Sequence, residues 1–478
     1  MVGPGLRPRR SVEFTARPAH HRQPGGQDPG DPEPGDRLPL RGQRVRGAAV
    51  TTATRRARRA LPDSYARCLA HPGFRRLQPG FLVSFLGDGM SFVGVAWLAV
   101  ELAAPGDRST TVGLAVAAYS LPAAIGSLTL GRWLSGRNAR SLILLNSALR
   151  AAVFTLIPAL YWLGLLDVAT YIALLAASSV LHAWGIAGRQ TFVAETLPEK
   201  DRLAGHALVG SQEQLSFIIG PPLAGLVSAG LGPAAVLAAD AASYLCLAAV
   251  AARVRGDTKV ARRPPVPLRR SARTLARHPD LTGLLALTFV FYLLYGPIEV
   301  AVPVFVADRM GGDPTALGWI WGTFGVGAVV GALAAGALRR LPLWPTALAI
   351  VAGWGLAILP LAHFGTLTAG IVGFGLGGLI YAPYGPVTIT LLQQKAPLDE
   401  LVSLSALRSA VLVVATPLGA ALGGPLVGAL GAAGTLRLSG LATLALAAAG
   451  TVLILLLRLR RPTPHPRPAP GRQHADHT

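Results

Sequence analysis

The sequence is short of charge. Only 14% of its 478 residues are Asp, Glu, Lys or Arg, against roughly 25% in an ordinary soluble domain. Lysine is almost missing, with Lys200, Lys259 and Lys395 the complete set. Two cysteines, Cys68 and Cys246, cannot build a disulfide framework or a cysteine-based metal site. There is no P-loop, no H-E-x-x-H and no G-x-S-x-G. Those absences remove nucleotide hydrolysis, zinc proteolysis and serine-hydrolase chemistry. The chain is therefore expected not to be an enzyme and to need no cofactor and no metal. Any work it does must draw on an ion gradient or on a gradient of its own substrate.

What is present is apolar and patterned. Hydrophobic residues make up 51% of the chain, and the mean hydropathy is +0.47. Charge collects at the two ends and in short islands, with apolar stretches of about 20 residues between them, the length that crosses a bilayer as helix. The expected fold class is an all-α polytopic membrane protein of about twelve spans: 80–104, 111–130, 141–164, 167–188, 204–230, 233–253, 281–306, 315–337, 345–363, 366–392, 402–430 and 433–457. Many are rich in Gly, Ala and Pro, and small residues let helix backbones approach closely inside lipid.

The net charge of +21 raises the question of nucleic acid, but no nucleic-acid-binding motif accompanies it. The arginines lie in two tails and beside apolar spans, where an anionic membrane surface accounts for them. Loops after even-numbered spans hold Arg132, Arg137, Arg140, Lys200, Arg202, Arg339, Arg340 and Lys395, whereas the other side shows little beyond Arg108, Arg309 and Arg437. The positive-inside rule then places both termini in the cytoplasm and the chain in the cytoplasmic membrane.

The expected organisation is a disordered basic extension over 1–69, a six-helix bundle over 70–253, a basic cytoplasmic linker over 254–280, a second six-helix bundle over 281–457 and a disordered basic tail over 458–478. Residues 1–60 are rich in Pro, Gly and Arg without apolar periodicity. Val50 is an alternative start if its codon is GTG, so removal of residues 1–49 should leave insertion and activity intact. In the linker, Leu268, Ala272 and Leu275 share a helical face ringed by arginines. That stretch reads equally as an interfacial helix or a solvated basic linker.

The two bundles repeat one another. His71-Pro72 and His278-Pro279 open similar apolar runs at an offset of 207, Gly126 and Gly131 match Gly331 and Gly336 at 205, and Pro198 and Ala207-Leu208 match Pro397 and Ala406-Leu407 at 199. "GPPLAGL" from Gly220 matches "GGPLVGA" from Gly423 at 203. Two six-span halves in parallel repeat, joined by a long basic loop, resemble the major facilitator superfamily of secondary transporters, in which two bundles rock around a central site.

Two motifs bear on that resemblance. "GRWLSGRNAR" follows the second span and lines up with the family pattern G-x-x-x-D-R-x-G-R-R. Gly131 and Arg140 match, while Ser135 stands where the family has its acid. The resemblance implies a gating loop whose charge latch is weakened; an ordinary basic topogenic loop explains the same arginines. In the fifth span, "LSFIIGPPLAGLV" places Gly220, Pro221 and Gly225 on the pattern that accompanies proton-exchanging exporters in the family; a generic kinked helix is the other reading. Stretches such as "FLVSFLGDGMSFVGVAWL" and "LLQQKAPLDEL" are similar to the macrolide-efflux and enterobactin-exporter branch, although the basic residues usual after the latter are delayed here to Arg408.

Charges inside spans are costly and face a cavity or a partner. Asp88, Glu213 and Glu299 are the carboxylates expected to bind a proton or a cationic substrate. Arg150 is the expected counter-ion, Asp240 is a further candidate, and a structural ion pair is the alternative for each. Spans 1 and 7 are equivalent, which suggests related roles for Asp88 and Glu299. His182 reads as a hydrogen-bonded packing residue, and Gln212 and Gln214 flank Glu213. The resulting expectation is a monomeric exporter of a small amphipathic molecule (a drug, antibiotic or siderophore-like metabolite) that exchanges it for a proton by alternating access. An importer or facilitator of a small nutrient, and a membrane sensor or scaffold without transport, remain the alternatives.

Overall fold

The computed structural model describes residues 63–104, 106–130, 137–254, 275, 277–397 and 400–459. Most of both expected tails, most of the basic linker and the loop residues Gly131 and Ser135 lie outside the described residues, but residues 63–69, expected within the disordered extension, and residues 458–459 of the expected tail are helical. Among the described residues the fold is all-helical, with fourteen α-helices and one 3-10 helix. A short helix α1 (Asp63–Ala70) precedes the first span. The spans are α2 (Pro72–Leu102), α3 (Arg108–Thr129), α4 (Ala139–Trp162), the pair α5 (Val168–Ser179) and α6 (His182–Thr196), α7 (Glu199–Leu231) and α8 (Pro233–Arg253). They continue with α9 (Pro279–Arg309), α10 (Pro314–Ala334) with its 3-10 extension (Ala335–Arg340), α11 (Leu343–Phe364) and the pair α12 (Leu367–Tyr381) and α13 (Tyr384–Lys395). The last two spans are the arms of α14 (Leu401–Leu459), divided at Gly431, whose φ of 71° breaks the helical path.

Ten stretches are long and apolar enough to cross a membrane, the two arms of α14 counting together. The twelfth span is α3, whose first turn holds Arg, Ser and two Thr. Local chemistry sets the boundaries. Pro72, Pro233, Pro279 and Pro314 occupy the first helical turn, where the missing N–H costs nothing. Asn138, Asp167, Asp313 and Thr366 cap helices by accepting from the backbone N–H of Ser141, Thr170, Thr315 and Ala369. Several spans outrun the expected windows. The first runs 31 residues, about 46 Å of helix against a hydrocarbon core near 30 Å, because its first turns carry Arg75 and Arg76 into the polar zone.

The repeat is explicit in backbone contacts. Gly126 packs on the carbonyl of Val180, and Gly331, 205 positions later, packs on the carbonyl of Leu379, 199 positions after Val180. Gly89 meets Gly220 as Gly296 meets Gly419. Gly113 meets Gly424 as Gly318 meets Gly225. Gly232 and Gly431 turn spans 5 and 11 into their successors with φ of 80° and 71°, a conformation open to glycine at little cost. The pairing of Gly220 with Gly423 is thereby corrected: Gly419, one helical turn earlier, is its structural equivalent. A four-residue slip keeps the same helix face, so two Gly- and Ala-rich segments match almost as well in either register.

Close approaches between the halves gather toward one end of the bundle. Gly113 against Gly424, Gly225 against Gly318 and the ion pair of Arg108 with Asp308 at 2.7 Å all use the first turns of α3 and α10 and the last turns of α7, α9 and the first arm of α14. A Cβ on Gly113 would stand 2.7 Å from the Cα of Gly424, so at this end contact is backbone on backbone. At the other end of the first half, α1 buries its Cys68 in a cluster with Phe74, Phe81 and Phe192. It is held there by Arg67 Nε bonded to Asp201 Oδ1 at 2.9 Å.

Candidate functional site

A cavity of ≈ 340 Å³ opens midway along the helices, between α2, α3, α4 and α6 of the first half and α9, α10 and the first arm of α14 in the second. Its wall holds Tyr119, Arg150 and His182 on one side and Glu299, Trp321 and Thr416 on the other. Most of the remaining wall is apolar or aromatic, as expected for a small-molecule site with few polar anchors.

Arg150 organises the first-half wall. It sits near the middle of α4 and is 1% exposed. Its Nη1 donates to Asp88 Oδ1 at 3.1 Å and to His182 Nδ1 at 2.8 Å. A guanidinium can only donate, so His182 Nδ1 accepts, and the ring bonded here is neutral with its proton on Nε2. The carbon of the guanidinium lies 5.1 Å from the ring centre of Tyr119, 5.5 Å from Phe154 and 4.9 Å from Tyr244, within reach for cation–π attraction. The hydroxyl of Tyr244 also donates to Asp88 Oδ1. One carboxylate, one imidazole and three rings thus hold one buried charge.

The other candidates separate. Asp240 is fully buried, and it does not border the cavity. Its Oδ2 accepts from Ser91 at 2.5 Å and its Oδ1 from Ser243 at 2.9 Å, and Gly87 leaves it room, since a Cβ there would collide with the carboxylate. Glu213 is exposed and off the cavity wall, with Arg189 and Asp88 as its charged neighbours. Glu299 borders the cavity and, among the described residues, has no hydrogen-bond or ion partner. Asp88 and Glu299 lie on equivalent helices but not at equivalent positions: at the offset of 207, Tyr295 answers Asp88 and Phe92 answers Glu299.

Arg140 closes a helix end, donating from Nε and Nη2 to the carbonyls of Ala251 and Ala252 at 3.1 and 2.7 Å. Gly220 and Gly225 serve close packing, the first against Gly89 of α2 and the second against Thr315 and Gly318 of α10, while the Pro221 carbonyl touches Gly318. Both cysteines are free.

Sequence reasoning missed Tyr119 and Tyr244, whose only signal was a polar-tipped ring near the middle of spans 2 and 6, and Phe154 in span 3, an apolar ring with no signal of its own. It also missed the second-half counterpart of the charged cluster. At the repeat offsets, Asp88, Tyr119, Arg150 and His182 correspond to Tyr295, Phe324, Trp354 and Tyr381. Those four form an aromatic cluster around Trp354, with ring centres at 5.6, 5.5 and 5.5 Å.

Comparison with known proteins agrees with this architecture. The chain is 28% identical over 376 residues to the multidrug efflux pump Tap of Mycobacterium tuberculosis, covering 74% of this chain and 88% of that protein. It is 26% identical over 364 residues to Tap of Mycolicibacterium fortuitum, covering 73% and 88%. In fold it is similar to a bacterial homologue of the human lysosomal transporter Spinster, with a TM-score of 0.62 at 12% identity over 82% of this chain and 96% of the other. The nucleoside transporter NupG gives a TM-score of 0.62 at 13% identity, covering 79% and 98%. The Major Facilitator Superfamily model matches residues 79–409 and again 284–477. Twelve repeated spans, a cavity between the halves and these matches lead to one conclusion: the chain belongs to the Major Facilitator Superfamily and is a multi-pass membrane transporter, not an enzyme.

Proposed function

We propose that the protein exports a small amphipathic molecule across the cytoplasmic membrane by exchanging it for a proton. The observation that carries this reading is Glu299, a carboxyl without a partner on the cavity wall, facing the Arg150–Asp88–His182 cluster of the other half. A group so placed is free to take a proton or a cationic substrate as the halves move, and a ligand shifts the two conformations only by its differential affinity for them. The similarity to multidrug efflux pumps and the Gly220–Pro221–Gly225 stretch support export, in line with the macrolide-efflux and enterobactin-exporter branch. Domains over 70–253 and 281–457 supply the two walls, and one chain suffices for the site. The arginine-rich side sets both termini in the cytoplasm. The end closed by Gly113, Gly424 and the Arg108–Asp308 pair then faces outward, and the cavity is reached from the cytoplasm.

The test uses everted vesicles with the interior made acidic, screened with dyes, macrolides and siderophores. Gradient-driven accumulation is expected in wild type, and its loss, with substrate binding kept, in Glu299→Gln. If no substrate moves in vesicles containing folded protein, the antiport reading fails. Movement of substrate in the same direction as the proton would assign an importer instead.

A further inference from the structure

The second half holds a buried charge that the site described above does not use. Arg408, on the first arm of α14, is 8% exposed, and among the described residues it enters no ion pair. Its Nη2 donates to Thr388 Oγ1 at 2.9 Å, and its Nε is buried with no acceptor. Thr388 is already committed, donating to the carbonyl of Tyr384 at 2.8 Å on its own helix. A guanidinium has five N–H donors, so one neutral hydroxyl leaves this cation far from compensated, a costly state in a bilayer interior.

The first half shows what compensation looks like. Thr388 corresponds to Arg189 at the offset of 199, so the two guanidinium groups flank related places in the two halves. Arg189 lies 5.0 Å over the ring of Phe85 and has Glu213 as an acidic neighbour. Arg408 has neither a ring beneath it nor an acid beside it among the described residues. The groups around it are the hydroxyl-bearing Thr388, Tyr384 and Tyr292.

Position ties this cation to the cavity. Arg408, Leu412 and Thr416 recur every four residues and share one face of the helix, and Leu412 and Thr416 line the cavity. Arg408 lies on the same face one turn beyond Leu412, about 6 Å along the helix, just past the residues that line the cavity. Across from it, Tyr292, Tyr295 and Glu299 share a face of α9, with Tyr292 about 10 Å along the helix from Glu299. Along these two faces the Glu299 carboxyl on the cavity wall is followed by aromatic rings and then by a guanidinium whose one bonded partner is a neutral hydroxyl.

We infer that Arg408 anchors an anion subsite of the transport cavity, taking a carboxylate or phosphate-type group carried by the transported molecule. The favoured substrate is then an amphipath with an acidic group at one end and a basic or neutral aromatic body toward Glu299. This rests on the proposed export function but concerns binding, which can be measured without transport. A planar oxyanion suits a guanidinium because two parallel N–H groups can meet its two oxygens. The hydroxyls of Tyr292 and Tyr384 are placed to add neutral hydrogen bonds.

The purified full-length chain in nanodiscs is titrated against two dyes by fluorescence anisotropy. Rhodamine 110 carries a free carboxylate, and rhodamine 123 is its methyl ester. Wild type should bind rhodamine 110 at least ~10-fold more tightly than the ester. Arg408→Gln should erase that preference by weakening rhodamine 110 about tenfold, with the ester within about twofold. Unchanged ester binding shows that the variant is folded, and Arg408→Lys should keep part of the preference. Equal affinities in wild type, or an intact preference in Arg408→Gln, overturn the inference. If both dyes bind equally while chloride raises the melting temperature of wild type but not of Arg408→Gln, the cation serves a free anion and the inference also falls. A carboxylate preference in a dye that does not follow the proton gradient would sink proton-driven export and leave this subsite standing. A cavity that takes neither dye overturns both.

Discussion

Asp88→Asn isolates the energetics of the charged cluster. In wild type the Arg150 guanidinium is 1% exposed and its carboxylate partner 18% exposed, at 3.1 Å. Removing one charge of a buried pair costs about 3–5 kcal/mol, since the other is left buried alone. Three things temper that here. The amide oxygen still accepts from Arg150, worth roughly 1 kcal/mol. His182 and the three rings remain in place. Asp88 is also partly reached by solvent. Asp240, held by Ser91 and Ser243, acts on Arg150 only through its charge and makes no bond to it. The expected loss is therefore about 2–3 kcal/mol, measured by reversible unfolding in mixed micelles. Adding Arg150→Met removes the stranded charge and should recover more than half of it, giving a coupling of roughly 2 kcal/mol in the double-mutant cycle. If Asp88→Asn lies within about 0.5 kcal/mol of wild type, the pair does not hold the first half together and the reasoning is wrong.

Three further outcomes are expected. Gly113→Val sets a side chain against the backbone of Gly424, so it should hold that end open; crosslinking of Arg108→Cys to Asp308→Cys by a short bis-maleimide, which spans the length of the lost ion pair, should be ready in the parent and fall by more than half (roughly) with Gly113→Val. Burial pushes the Cys68 thiol up from its ordinary pKa, leaving little thiolate at neutral pH, so Cys68 should resist N-ethylmaleimide until the protein unfolds; Asp201→Asn, which removes the ion pair with Arg67, should speed labelling several-fold, and equal rates would show that α1 is not held by that pair. Deleting residues 1–49 should leave the melting temperature unchanged, whereas deleting through Ala70 strands buried Asp201 and should cost about 1–2 kcal/mol.

Much of this was legible in the sequence, because apolar length, proline at helix starts and arginine-rich islands are direct consequences of lipid as solvent. The repeat was legible for the same reason: Gly126 and Gly331 recur where two backbones must touch. Register within a helix was not, since Gly419 and Gly423 lie on one face and composition does not separate them. Nor were the breaks in spans 4 and 10 at Val180–Leu181 and Ala382–Pro383, where apolar residues run on through the interruption. Of the charged candidates, sequence identified those whose burial is expensive, but not which way each faces. Asp88, Arg150 and His182 converge, Asp240 is sealed behind serines, and Glu213 is not among the residues that line the cavity. Periodicity alone could not sort them, because the helices of a transporter have three kinds of surroundings: lipid, neighbour and cavity.

The two halves fill the same four backbone positions with opposite chemistry. In the first, Arg150 is joined to Asp88 and His182 by directional bonds and lies against the ring of Tyr119. In the second, Tyr295, Phe324, Trp354 and Tyr381 pack as rings, and the Trp354 indole N–H is buried without an acceptor. Ring packing tolerates a range of offsets and tilts, so small displacements in the second half change its energy gradually. A guanidinium shared between a carboxylate and an imidazole has discrete arrangements, and moving a proton onto either acceptor removes one of its bonds. Charge state therefore acts on the packing of the first half and hardly at all on that of the second. Among the residues that line the cavity itself, Glu299 is the second half's one acid, and it is not one of the four clustered rings. On the proposed exchange with a proton, a proton arriving in the cavity would meet a bonded network on one side and the Glu299 carboxyl on the other, and the difference between those two responses is what that proposal would use to tilt one bundle against its neighbour.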